Sequence, residues 1–177
     1  MKLLGIKALV CTLTLLLCAV TARAAGMNPF SREGRTRAET LIITGNFREP
    51  RLIAELAQYR TKQPILIIAP DGYGNHSLFF MPSGTKPMTE TADNFSGILA
   101  LINPRRVVVL GGSDFVPAQF VDIAQKKYPV ILLPNADMEV VAHTLGDLMS
   151  QPKLKTDFLD YRKRLKMADE ALHGSNE

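Results

Sequence analysis

Apolar residues in this chain fall into short unbroken runs and helical stripes, and their order occurs twice. Leu41-Ile42-Ile43-Thr44-Gly45, Pro50, Ala57-Gln58 and Pro64-Ile65-Leu66-Ile67-Ile68 are answered by Val107-Val108-Val109-Leu110-Gly111, Pro117, Ala124-Gln125 and Pro129-Val130-Ile131-Leu132-Leu133. Pro50 and Pro117 lie 67 residues apart, as do Ala57 and Ala124, while Pro64 and Pro129 lie 65 apart. An apolar run, a glycine, a proline-started amphipathic stretch and a second apolar run predict strand, helix, strand. The β-branched runs lack polar alternation, as strands covered on both faces require. The expected fold is therefore α/β: a parallel sheet flanked by helices, built from two βαβα pseudo-repeats, plus a C-terminal helix.

Between the repeats the pattern is finer. Leu52, Ile53, Leu56, Ala57 and Tyr59 form the apolar stripe of the first helix, with Pro50 in its first turn. Asp71 to Ser77 is turn chemistry, and Leu78 to Met81 predicts a short strand, at an edge or in a hairpin. Thr89 or Thr91 is the expected cap of a helix to about Ile102, with Phe95, Ile98, Leu99 and Ile102 on one face. Phe120, Ile123 and Ala124 face inward from a helix over Pro117 to Lys127. Asp137 caps another to Met149 that carries Val140, Val141, Leu145 and Leu148. Beyond Pro152, the residues Leu154, Phe158, Tyr161, Leu165, Ala168 and Leu172 make one seam. That seam predicts a helix docked on the domain or one that contacts a partner, including a second copy.

The N-terminus reads differently. Lys2 and Lys7, an apolar stretch from Ala8 to Val20 and the small residues of Ala22-Arg23-Ala24 have the order of an export signal cleaved after Ala24. The resulting division is signal 1–24, flexible lead-in 25–39, duplicated domain 40–150 and C-terminal helix and tail 151–177. Export places the chain in the periplasm or the extracellular envelope and confines membrane contact to export itself. Leu15-Leu16-Leu17 before Cys18 lacks the small residue that a lipidation site needs. Both cysteines, Cys11 and Cys18, leave with the signal, so no disulfide or cysteine site is expected in the remainder.

Charge changes the picture in the same way. The chain has 21 Lys and Arg against 17 Asp and Glu; Lys2, Lys7 and Arg23 leave with the signal and no acid does, so 18 stand against 17. That balance argues against nucleic acid as a partner.

Candidate chemistry gathers at the carboxyl ends of the predicted strands, where parallel α/β sheets hold ligands. Gly45-Asn46 and Gly111-Gly112-Ser113-Asp114 each lead toward a helix N-terminus, where an anion is favoured, while Asn135 follows the last strand. A glycine in such a turn also serves the backbone alone. Neither turn has a dinucleotide or phosphate-loop fingerprint, so no cofactor is expected. Asp71, His76 and Ser77 or Ser113 supply the groups of a hydrolytic site, but no G-x-S-x-G elbow surrounds either serine. His76, His143 and His173 lack zinc spacing, and no metal is expected.

The succession Val107 to Ser113, helix, Pro129 to Pro134 resembles the type 2 cell-wall-binding repeat family. The resemblance covers roughly Leu41 to Met149 in two copies and implies small Rossmann-like modules that hold exported proteins on anionic wall polymers. The family's usual three modules and separate functional domain have no room here, and only Arg105-Arg106 stands where its arginine-rich opening motif belongs. The reading that results is an exported, non-enzymatic envelope module. It binds a cell-wall glycan, an anionic polymer or a small polar ligand through Gly45, Asn46, Asp71, His76, Gly111, Gly112, Ser113, Asp114 and Asn135. The alternatives are an exported hydrolase using Asp71, His76 and Ser113, and a scaffold acting through the C-terminal helix.

Overall fold

Strand β1 (Thr40–Gly45) is buried at every residue because both of its neighbours are strands and both of its faces are covered. In the computed structural model, which describes residues 38–72, 74–84 and 86–173, β1 lies inside a six-stranded sheet of order β4-β3-β2-β1-β5-β6. The other strands are β2 (Ile65–Pro70), β3 (His76–Met81), β4 (Met88–Thr91), β5 (Arg106–Leu110) and β6 (Val130–Leu133). Helices α1 (Arg48–Thr61), α2 (Phe95–Ile102), α3 (Ala118–Gln125), α4 (Met138–Leu148) and α5 (Leu154–His173) complete an α/β fold. The proposed signal, most of the lead-in and the last four residues lie outside the described part, as does the side chain of Leu172.

The sheet is mixed rather than parallel throughout. β2, β1, β5 and β6 run parallel, with Ile42 paired to Ile65 on one side and Val108 on the other. β3 and β4 are antiparallel, added as successive hairpins beyond β2. Leu78 to Met81 thus belongs to a hairpin arm one place in from the edge. Thr89 and Thr91 lie in β4, not in a helix, and the chain passes through a 3-10 turn (Ala92–Asn94) before α2 begins. Thr91 has the extended backbone of a cap but gives no side-chain hydrogen bond. The helical stripe from Phe95 masked a strand whose own alternation is only four residues long.

Alternation across the strands divides the core in two. Leu41, Ile43, Leu66, Ile68, Val107 and Val109 face α2 and α3. Ile42, Ile65, Ile67, Val108 and Leu110 face α1, α4 and α5. Chain progress from β1 to β2 runs one way across the sheet with α1 on one face; from β5 to β6 it runs the other way with α3 on the opposite face. Crossovers of equal hand require that reversal. The topological switch therefore falls between β1 and β5, where the ends of the two predicted glycine turns meet.

Helix ends follow local chemistry. Asp137 caps α4 as expected, its Oδ1 accepting from the Glu139 N–H at 2.9 Å. Asn103 takes the left-handed conformation that closes α2 and donates its N–H to Leu99 O. Tyr59 departs from its predicted inward position: it is 75% exposed, and Ile53, Ala54 and Ala57 carry the buried stripe. Val140 is likewise on the outer side of α4.

The C-terminal helix docks on α1 and α4. Leu154 and Phe158 are fully buried, whereas Tyr161 and Met167 face solvent. Arg60 Nε bonds Asp157 at 2.7 Å near one end of α1, and Arg48 pairs with Asp169 near the other, so the two helices run antiparallel. The Asp169 hydrogen bond raises the Arg48 pKa, keeping its guanidinium charged. Arg162 reaches Glu139 on α4 at 2.5 Å and Glu49 on α1 at 3.9 Å, with its guanidinium over the Phe158 ring. Among the described residues, no helix is long and apolar enough to cross a membrane.

Candidate functional site

Gly111 ends β5 with φ of 85°, a conformation that favours glycine, while its N–H still bonds Leu133 O of β6 at 2.9 Å. The next carbonyl, that of Gly112, accepts from the N–H groups of Phe115 and Val116 at 3.0 and 3.1 Å. These two bonds fold the loop back over the ends of the strands. Phe115 then occupies the switch point itself. A Cβ placed on Gly111 would meet the Phe115 ring at 2.6 Å, and one placed on Gly45 would meet the Phe115 carbonyl oxygen at 2.2 Å. Phe47, opening α1, packs edge-on against the same ring at 5.1 Å.

The place where an anion was expected is thus filled by an aromatic ring and faced by a carbonyl oxygen. Six residues of loop separate Gly111 from Ala118, so the glycine turn does not open directly onto a helix N-terminus. Pro117, the N-cap of α3, has no N–H to offer.

Displaced from the switch point, a cleft of about 270 Å³ lies between the end of β5, the β6 edge and α3. Val109 and Leu132 form its sheet side, and Val116 and Val121 its apolar wall. Helix α3 presents Ala118, Val121, Asp122 and Gln125 to it, a stripe at steps of three, one and three that is distinct from the Phe120–Ala124 stripe in the core. Gly111, Gly112 and Ser113 close the end at the sheet rim. Ser113, Asp122 and Gln125 bring a hydroxyl, a carboxylate and a carboxamide to an otherwise apolar lining. None of the three side chains has a hydrogen bond or ion pair within the described residues.

Of the expected site residues, then, the structure brings Gly111, Gly112 and Ser113 to the cleft. Asp114 is exposed beside it. Gly45 is buried against Phe115, and Asn46 accepts from Arg51 at 3.3 Å. Asn135 is a loop former, its Oδ1 accepting from the Asp137 N–H at 2.8 Å. Asp71 closes the β2–β3 hairpin by accepting the Asn75 N–H at 3.0 Å, around Gly72 and Gly74 at positive φ.

His76 stands on the α3 side of the sheet, packed edge-on against Phe120 at 5.5 Å. Ser77, the next residue in β3, points to the opposite face. Ser113 follows β5, which lies three strand spacings, about 14 Å, from the β3 that carries His76. These placements support a packing role for His76 and a turn role for Asp71. His143 lies on the surface of α4 and pairs with Asp147 at 3.0 Å. No group of three or more metal-ligating side chains occurs among the described residues.

Sequence reasoning did not single out Phe115, Val121, Asp122, Gln125 or Leu132. The signal was present in α3: Val121 lies off the core stripe, next to a carboxylate and one turn from a carboxamide. Comparison with protein-family models, curated proteins and solved structures gives no match. The likeness to cell-wall-binding repeats rests on the strand, glycine-turn and helix pattern alone.

Proposed function

We propose that this chain is an exported, non-enzymatic envelope module that binds its ligand in the cleft between α3 and the ends of β5 and β6. One observation carries the reading: an apolar cleft is bordered by three solvent-exposed polar side chains, Ser113, Asp122 and Gln125, none of them tied to another described residue. A few oriented polar groups in an apolar concavity are what a recognition site uses to fix a ligand. The Asp122 carboxylate on the wall weighs against an anionic wall polymer. It favours a ligand with an apolar body and a cationic or hydrogen-bond-donating group.

The test is a thermal-shift screen of the purified protein against peptidoglycan fragments, polyamines and free apolar amino acids, followed by titration of any hit. Binding that Val121→Trp removes, with the circular dichroism spectrum unchanged, supports the site. A screen without a single shift, or a hit that Val121→Trp leaves untouched, overturns it.

A further inference from the structure

Among the described strands β6 has a neighbour on one side only, and its exposed Leu132 lines the cleft. The carbonyls of Pro129 and Leu133 accept from Val107 and Gly111, so the alternate residues Val130 and Leu132 turn their N–H and C=O groups away from β5. Two donors and two acceptors therefore line an edge that no described strand occupies. The two edges of this sheet differ in composition. β4 carries Glu90 between two threonines, whereas β6 is Val-Ile-Leu-Leu, with Leu132 44% exposed. Charge on an edge strand discourages pairing with another chain, and β6 has none. Pro129 and Pro134 bracket it, which limits an added strand to about four residues.

The cleft has the matching proportions. Its 270 Å³ is slightly below the roughly 300–1,000 Å³ of sites that enclose a small molecule, and the exposed Leu132 leaves its outer side open. Strand addition places alternate side chains of the incoming segment on the α3 face of the sheet, over Leu132 and toward Asp122. An apolar residue and, two positions away, a lysine or arginine would meet an apolar wall and a carboxylate.

We infer that the occupant of the cleft is an extended polypeptide segment with an apolar-x-basic pattern, which adds as a strand to the open edge of β6 and faces Asp122 with its basic side chain. This rests on the cleft being the ligand site.

The probe is the acetylated, amidated pentapeptide Thr-Leu-Thr-Lys-Thr, titrated into the whole purified protein labelled with nitrogen-15. Binding is expected to shift the amides of Val130 and Leu132 and slow their hydrogen exchange. Replacing the peptide's lysine by glutamate, or making Asp122→Lys, should weaken binding at least tenfold. N-methylating alternate peptide residues should abolish it in one of the two possible registers. Asp122 is exposed, so its substitution leaves the fold intact, as circular dichroism would verify.

Equal binding of the glutamate peptide, or undiminished binding of both N-methylated registers, overturns the inference. Protection of Val130 and Leu132 that grows with protein concentration in the absence of peptide also overturns it and assigns the edge to a second copy. A compound from the screen that binds the cleft while neither pentapeptide does overturns the peptide reading and leaves the cleft as the ligand site.

Discussion

The backbone of Gly45 lies so close to that of Phe115 that a Cβ on the glycine would sit 2.2 Å from the phenylalanine carbonyl oxygen. This contact joins the ends of β1 and β5 and closes the switch point of the sheet. Gly45→Ala is expected to destabilise the protein by about 1–3 kcal/mol, because the collision is with backbone that cannot rotate away. The urea midpoint measures it. Phe115→Ala leaves that carbonyl in place and should not rescue the variant. Gly111→Ala behaves differently: part of its cost is the Phe115 ring, so the double variant with Phe115→Ala should cost less than the sum of the two single changes. Additivity at Gly111, or rescue at Gly45, would show that Phe115 does not hold the two turns as described.

Arg106 ties the amino-terminal ends of the central strands to α4. Its Nε bonds the buried Thr40 hydroxyl at 2.9 Å and its Nη2 bonds Leu148 O at 3.0 Å. Arg106→Met should cost about 1–3 kcal/mol by leaving both acceptors without their charged donor. Adding Thr40→Val removes one orphaned group, so the pair should fall short of the sum. Chemical denaturation of the four proteins checks this, and strict additivity would argue against the Thr40 contact.

Docking of α5 is expected to depend on apolar burial more than on its ion pairs. Phe158→Ala should destabilise by about 3–5 kcal/mol, as loss of a fully buried aromatic does. Asp157→Ala, which breaks a half-buried pair with Arg60 at the helix surface, should cost about 1 kcal/mol. Thermal and urea unfolding distinguish the two. Truncation at Pro152 should expose the α1–α4 face and abolish a single cooperative transition. A truncated chain that keeps its melting temperature would instead favour a scaffold role for the helix.

His76→Phe tests the packing role. The ring packs edge-on against Phe120 on the α3 side of the sheet, so an aromatic of similar volume should change stability by about 1 kcal/mol or less. Titration of the cleft should give the same affinity, since Phe120, the ring that His76 touches, belongs to the core stripe of α3 and does not line the cleft. A hydrolytic activity lost in this variant at unchanged melting temperature would restore the catalytic reading.

The two βαβ segments were legible because their signals are local. Unbroken runs such as Val107 to Leu110 mark strands covered on both faces, and Phe95, Ile98, Leu99 and Ile102 mark a helix whose inner face is buried as expected. β4 was not legible: Met88 to Thr91 is too short and too polar to stand out beside the stripe that follows it. Tyr59 shows the limit of reading a stripe from spacing: it stands two positions, about 200° of helical turn, beyond Ala57 and so faces away from the buried Pro50, Ile53, Ala54 and Ala57.

The candidate site divides along the same line. Gly111 to Ser113 were found because a glycine turn after an apolar run is a feature of adjacent residues. Asp122, Gln125 and Leu132 belong to it only because α3 and the edge strand β6 pack at a distance that leaves a gap between them. Chain order by itself determined the α/β class, the parallel pairing of the four long apolar runs and the clustering of turns at one rim, since each follows from hydrophobic spacing and crossover geometry. Tertiary structure alone decided that Phe115 closes the rim and that the opening lies one strand further out, because which side chain fills a space depends on contacts between residues that no periodicity connects.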